Sequence, residues 1–473
     1  LVASLIKIQE KGQLVGPLLF LLILLFKIGP NPQAVLFLAT FAWVISNWLL
    51  TSIPLFVTGI FGVSLAVLLG ISGPKEAFSP LADPLIFLFL GGFFLAKAFE
   101  VIELDKKISL AILNHPLVCG NVQRTIFAVL ALTAFISMWV SNTATTAMML
   151  PLVMGIMKNL NVTDSKAQNA LLLGTAYAAT IGGLATPLGS PPNIIVIGML
   201  QQLAQIKLNF FTWVIIALPI TLILMFWLNL YVQKSFKGLS FTHTYCERKT
   251  EFTTNDKILI MIFFTAILFW FFPSLLSLWL GEKHPMAKLL DERLNPGIIS
   301  IFLACFLFLF PINKKEKILK VHDAFTIDWG SLLLFGTGLS LGQMLFKVGI
   351  ADWIGNHLMG LIGNAPFIIF LASIVTFTVF FTELVSNTAA ANILLPLLIG
   401  SCLKANINPL IIAMACALSC NLAFMLPVGT PPNAIVYGTG LVSLKEMARQ
   451  GMVLNIVSII LITTVFYFSQ FFL

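Results

Sequence analysis

Charge is scarce in this chain: Asp, Glu, Lys and Arg together make up 10% of its 473 residues. Soluble domains carry about 25%, so a water-facing surface of ordinary size cannot be built from this sequence. Histidine is also sparse, and His115, His243, His284, His322 and His357 fall in or near expected loops, which argues against a metal cluster. The six cysteines (Cys119, Cys246, Cys305, Cys402, Cys416 and Cys420) form no CxxC pair. The nearest two, Cys416 and Cys420, stand at i and i+4 in an apolar stretch, so the set reads as buried thiols rather than metal ligands. Neither HExxH nor GxxxxGK[ST] occurs, which disfavours a zinc hydrolase and an ATP-driven pump. Residues 1–13 mix charges and carry no small-residue cleavage site, so no removed signal peptide is expected.

What is abundant is apolar sequence: 59% apolar residues and 42 Phe, with a mean hydropathy of +0.99. Apolar runs near 14–32, 34–50, 53–72, 84–104, 168–200, 210–233, 257–280, 297–312, 329–348, 409–440 and 450–473 give about eleven candidate transmembrane helices. Two more, 123–157 and 365–400, are too long for one crossing, and each is interrupted at its middle by Ser-Asn-Thr. Such a segment reads as a re-entrant hairpin whose tip lines a cavity, because non-helical backbone is not tolerated against lipid. The expected fold is an all-α polytopic membrane protein.

The net charge of +8 does not point to nucleic acid, since the basic residues lie in short clusters between apolar runs. With the N-terminus in the cytoplasm, the inside loops collect most of the 27 basic residues, among them Lys106, Lys107, Arg124, Lys158, Lys234, Lys320 and Arg449. That bias is the positive-inside pattern. The polar stretch 235–256 then becomes a cytoplasmic linker between an N-terminal half, 1–234, and a C-terminal half, 257–473.

The halves resemble each other. VSNTATTAMMLP begins at Val140, and VSNTAAANILLP begins 245 residues later at Val385. LFLGGFFLAKAF (88–99) aligns at the same offset with LLFGTGLSLGQM (333–344), matching at Gly91 and Gly336. TPLGSPPN (186–193) is followed at an offset of 240 by LPVGTPPN (426–433). Three ordered matches indicate a duplicated half, and an odd number of intervening crossings would invert it, as in secondary transporters.

These motifs carry chemistry at helix breaks. At a hairpin tip one half-helix ends in unpaired carbonyls and the next begins with unpaired amides, so one break offers both a cation and an anion site. Gly permits the unwound backbone of GSPPN and GTPPN, while Pro stops one helix and is tolerated at the start of the next. Oxygen ligands without thiolate or imidazole suit an alkali cation. No Arg or Lys lies at the tips, so an anionic partner would depend on amides, hydroxyls and co-bound cations.

The paired Ser-Asn-Thr motifs, each followed by a PPN motif about fifty residues on, resemble the divalent anion/sodium symporter family over nearly the whole chain. The resemblance implies sodium-coupled carriage of dicarboxylates, citrate or sulfate by an elevator-type homodimer in a plasma membrane, here a bacterial inner membrane. It places one sodium with Ser137, Ser141, Asn142 and Gly189, and a second with Thr382, the Val385 carbonyl, Asn387 and Gly429. Substrate carboxylates would meet Asn142, Thr143, Asn387 and Thr388, with Ser190, Thr430 and Pro431 close by. Sodium-independent exchangers of the family tend to read SNTARxGG, whereas this chain reads SNTATTAM and SNTAAANI, which favours the sodium-coupled branch. A sodium-independent dicarboxylate exchanger or a sulfate carrier of the same fold is the alternative.

Each motif has a plainer reading. A single intramembrane Ser-Asn-Thr would ordinarily serve helix packing, and it is the duplication beside paired PPN motifs that favours a site. Glu383, three residues before Ser386, is either functional or a partner of the hairpin tip. Lys97 and Glu100, at i and i+3, read as a local ion pair near a helix end. A channel would need a continuous pore, and two closed tips with coupled cation and anion chemistry argue against one.

Overall fold

The computed structural model describes residues 2–470 except 52, 119, 238–250, 282–283, 310, 314–315 and 363–365. Cys119, Cys246, His243 and most of the expected linker 235–256 therefore lie outside the described residues. The N-terminal half runs α1 (Val2–Phe26), α2 (Pro32–Leu50), α3 (Leu55–Leu68), α4 (Pro74–Phe78), α5 (Pro84–Val101), α6 (Leu104–Leu113), α7 (Val122–Ser137), α8 (Asn142–Asn159), α9 (Ser165–Gly182), α10 (Pro191–Ala204) and α11 (Phe210–Ser235). There follow α12 (Thr254–Leu280), α13 (Pro285–Arg293), α14 (Pro296–Leu309) and the short antiparallel pair β1 (Pro311–Asn313) and β2 (Glu316–Lys317). The chain continues through α15 (Val321–Phe325), α16 (Trp329–Lys347), α17 (Ile350–Ile362), α18 (Phe367–Thr382), α19 (Asn387–Lys404), α20 (Pro409–Cys420), α21 (Pro431–Gly438) and α22 (Leu444–Ser469).

The order from α3 to α11 recurs from α14 to α22. Both series hold a 14-residue helix, a five-residue helix, a long helix, an amphipathic helix, two helices meeting at Ser-Asn-Thr, two meeting at the PPN motif, and a 26-residue helix. Each expected long run with a Ser-Asn-Thr centre is thus two helices, α7–α8 and α18–α19, and the runs 168–200 and 409–440 are the broken pairs α9–α10 and α20–α21.

Among the described residues, α2, α5, α11, α12, α16 and α22 are long and apolar enough to cross a membrane. Other expected spans differ as helices: 53–72 contracts to α3, and 14–32 falls in α1, which starts earlier and ends at Phe26, where Lys27 adopts a positive φ of 49°. Outer faces of α11, α12 and α22 leave large apolar side chains such as Phe226, Phe264 and Ile460 exposed, as a lipid-facing belt requires.

Packing draws the two halves together. α9 lies between α7 and α11, α10 packs on α19, α20 and α16, and α18 and α20 pack on α22. Small residues permit the closest approaches: a methyl added at Gly182 would sit 2.2 Å from the Ala134 carbonyl, so α9 and α7 are in backbone contact. α6 is tied to the start of α12 by Lys107, whose Nζ donates to Asp256 Oδ1 at 2.8 Å and Oδ2 at 2.9 Å. Cys402, Cys416 and Cys420 are buried free thiols as expected, but Cys305 is exposed, because it falls on the outer face of α14. His357 sits in α17 with its Nδ1 2.8 Å from the Trp353 carbonyl, not in a loop.

Candidate functional site

Both Ser-Asn-Thr breaks are built by the same local device. Ser141 and Ser386 are the N-caps of α8 and α19, their hydroxyls accepting from Ala144 N and Ala389 N at 3.2 Å each. Serine at this position satisfies one of the amides that a helix start leaves unpaired. The Ser141 hydroxyl, expected beside one sodium, thus also holds the turn, and its oxygen keeps a second lone pair.

Across the first break, the amide end of Asn142 lies 2.7 Å from Ser137 Oγ, 3.1 Å from the Ala179 carbonyl and 3.2 Å from the Gly189 carbonyl. With its nitrogen towards them the amide has three oxygen acceptors within reach of its two hydrogens. With its oxygen there, Ser137 Oγ donates to it and the two carbonyls face it without a donor between them. Ser137, Asn142 and Gly189 are thus brought together as the resemblance implies. Gly189 is there of necessity, since a methyl on it would meet the Gly183 carbonyl at 2.5 Å.

The second break repeats the geometry with different atoms. Thr382 Oγ1, the counterpart of Ser137, is 3.0 Å from Asn387 Oδ1 and donates to the Cys420 carbonyl at 2.7 Å. Thr382 and Val385 are buried, and Gly429 is packed so that an added methyl would lie 3.3 Å from Glu383 Oε2.

Glu383 resolves into a specific role. Its Oε1 accepts from Phe424 N (2.7 Å), Met425 N (2.9 Å) and Asn455 Nδ2 (2.7 Å). Its Oε2 accepts from Met425 N and Leu426 N at 3.1 Å each. An ionised carboxylate has about four lone-pair sites, so these donors saturate it. Glu383 therefore anchors the unwound segment between α20 and α21, and it ties the second Ser-Asn-Thr break, that segment and α22 together. At the equivalent point of the first half stands Met138, whose carbonyl accepts from Thr186 Oγ1.

The PPN asparagines staple each unwound loop. Asn193 Nδ2 donates to the carbonyls of Gly183 and Thr186 at 2.8 Å each, and Asn433 Nδ2 to those of Ala423 and Leu426 at 3.1 Å each. A bridge joins the two halves at Asn421, which accepts from Ser190 Oγ at 2.5 Å and donates to Asn193 Oδ1 at 2.9 Å. Ser190 is thus engaged with the opposite half, whereas Thr430 at the matching position has a buried hydroxyl with no partner. Asn421 was not singled out from the sequence: it has no counterpart in the first half and belongs to no motif.

All four breaks line one cavity of about 660 Å³. Asn142, Thr143, Gly189 and Ser190 enter it from one half, and Asn387, Thr388, Gly429, Thr430 and Pro431 from the other. The cavity is also lined by Phe56 of α3, Phe89, Phe93, Lys97 and Glu100 of α5, and Asp328 at the start of α16. The first residues of α8, α10, α19 and α21 all line it, so four positive helix ends meet one space. Two of these helices begin Pro-Pro and have no N–H to offer at their first two positions, so direct amide donors come from the Ser-Asn-Thr tips. Among the described residues no three His, Cys, Asp or Glu side chains gather as a metal site would need.

Residues 10–472 match the family described as the sodium:sulfate symporter transmembrane region. The sodium-dependent dicarboxylate transporter SdcS of Staphylococcus saprophyticus is 35% identical to this chain, over 97% of the chain and 91% of that protein. The SdcS of Staphylococcus aureus strain USA300 is likewise 35% identical, over the same shares. Among solved structures, the Alcanivorax borkumensis YdaH transporter superposes with a TM-score of 0.58 at 14% identity, covering 86% of this chain and 88% of that one. Neisseria gonorrhoeae MtrF, described among antimetabolite efflux pumps, gives 0.56 at 13%, covering 93% and 95%. At such identities these two likenesses concern the fold alone.

Proposed function

The chain belongs to the sodium:sulfate symporter family of polytopic membrane transporters, and on that premise we propose that it is a sodium-coupled symporter of small di- and tricarboxylates such as succinate, malate, fumarate and citrate. The observation that carries the reading is the pair of equivalent tips on one cavity. At each, an asparagine (Asn142, Asn387) meets a hydroxyl (Ser137, Thr382) on the side away from the cavity, while its neighbour threonine (Thr143, Thr388) faces the cavity. Two tips offer two anion sites, which suits a substrate with two carboxylates better than a single compact oxyanion. The staphylococcal relatives, sodium-dependent dicarboxylate transporters by name, support the same choice.

In this reading sodium is cargo. Ser137, Ser141, Asn142 and Gly189 hold one ion, and Thr382, Asn387, the Val385 carbonyl and Gly429 hold the other. Each asparagine then presents its oxygen to sodium and its nitrogen to the substrate, so an ion must be bound before the amide is turned to receive a carboxylate. Coupling follows from that shared side chain. The two halves act as inverted repeats, with α7–α8 and α18–α19 as re-entrant hairpins. They move with α9–α10 and α20–α21 as one elevator body against a scaffold that dimerises in a bacterial plasma membrane, the N-terminus being cytoplasmic.

The test is uptake of labelled succinate, citrate and sulfate into proteoliposomes with and without an inward sodium gradient. Succinate uptake that requires sodium is the expected result. Undiminished uptake in choline medium against internal dicarboxylate would establish an exchanger instead, and sulfate uptake without succinate uptake would overturn the substrate class.

A further inference from the structure

We propose that Lys97 is a docking residue for the substrate's carboxylate in the cavity that the tips line, with Glu100 as the partner that the substrate displaces; this rests on the dicarboxylate reading above. Phe89, Phe93, Lys97 and Glu100 recur at i, i+4, i+8 and i+11 on α5, and all four line the cavity, so the ion pair faces the transported anion and not lipid. Among the described residues, Lys97 is the single cationic one that lines it.

The two partners are unequally held. Lys97 Nζ lies 2.9 Å from Glu100 Oε1, but the lysine side chain is 17% exposed and the glutamate 58%. The cation is set in the wall by its stem while its counter-ion is largely in solvent, so an incoming carboxylate can replace Glu100 without uncovering a buried charge. Asp328, the other acid lining the cavity, is held as the N-cap of α16 by Ser331 N and Ser331 Oγ, whereas the ion pair of Lys97 is with Glu100. The repeat supplies no counterpart: the offset that superposes Gly91 on Gly336 places Gly342 opposite Lys97 and Leu345 opposite Glu100. The pair is therefore not part of the duplicated ion-binding machinery, and it sits on a helix that the elevator reading assigns to the scaffold. A carboxylate held there is met at the cavity mouth, before or after it is held by the tips. In the orientation expected from loop charge, that mouth is cytoplasmic.

The experiment measures the succinate KM at each membrane face, in right-side-out and inside-out vesicles carrying the wild type, Lys97→Met, Lys97→Arg or Glu100→Gln, at fixed sodium with choline chloride added in steps. A half-exposed ion pair accounts for roughly fivefold at most. Lys97→Met should raise KM by about that factor at one face only, with the effect shrinking as salt shortens the screening length. Lys97→Arg should stay near wild type, and Glu100→Gln should lower KM at the same face. A pair that only braces α5 would shift both disrupted variants in the same direction, and that outcome, or unchanged KM in all variants, overturns the proposal. Should Lys97→Met not fold, the sign of the Glu100→Gln shift decides alone. A wild type that shows no sodium-driven succinate uptake would sink the functional reading itself, whereas an active wild type with indifferent variants removes only Lys97.

Discussion

Replacing Glu383 by glutamine exchanges one oxygen of a saturated carboxylate for an NH₂ group, and the hydrogen bonds around it set the cost. If the NH₂ takes the Oε1 position, Phe424 N and Asn455 Nδ2 lose their acceptor; if it takes the Oε2 position, Leu426 N loses its own and Met425 N keeps one of two. The second arrangement is cheaper and leaves one buried amide facing another donor, at about 1–3 kcal/mol. The remaining bonds also lose their charge assistance, which roughly doubles the strength of each. The sum is about 2–4 kcal/mol against the unwound segment between α20 and α21, or roughly 30- to 1,000-fold in its local equilibrium. Because Gly429 packs against Glu383 Oε2, the disorder should reach the proposed second sodium site first. The sodium concentration for half-maximal succinate uptake should rise at least about tenfold, and sodium should protect the variant less against thermal unfolding in detergent. Glu383→Asp, with the charge kept but one methylene removed, should fall between. A glutamine variant with wild-type sodium dependence and wild-type thermal stability would refute the anchoring role.

Asn142→Ala and Asn387→Ala should each raise the succinate KM about ten- to a hundredfold, the value of a hydrogen bond to a charged group; equilibrium binding in detergent checks this, and unchanged affinity removes that asparagine from the site. Gly189→Ala should abolish uptake, since the added carbon meets Gly183 backbone at 2.5 Å and no side chain can rotate away, while Gly438→Ala, with nothing within 4 Å, is the control. Burial is the main influence on Asp105 and pushes its carboxyl above the usual range, against a smaller opposing effect from the Lys106 amide. The folded state then holds the proton more tightly than the unfolded one, so stability is lost as pH rises from the unfolded towards the folded pKa. Asp105→Asn should be more stable than wild type at neutral pH and lose that advantage in acid, as thermal unfolding across pH would record.

The helix breaks were legible in the sequence because they are written in local chemistry. Ser before Asn caps a helix within three residues, and Gly followed by Pro-Pro ends one helix and starts another whatever surrounds them, so the expected hairpins 123–157 and 365–400 correspond to α7–α8 at 122–159 and α18–α19 at 367–404. Duplication was legible for the same reason, since two copies of a local signal can be laid side by side. Which atoms those breaks turn towards was not. Glu383 reaches amides 41 to 43 residues away and Asn455 at 72, and Asn421 bridges to Ser190 across 231. No local pattern encodes partners so distant; they are selected by the packing of α18, α20 and α22 and by the meeting of α10 with α20. Ser141 and Ser386 show the converse, their hydroxyls capping helices through amides three residues on, a partnership that local sequence does encode. Lys97 and Glu100 look from the sequence like any i, i+3 pair, because spacing along a helix says which side chains share a face. Only the tertiary arrangement decides whether that face meets lipid, a neighbouring helix or, as here, the cavity.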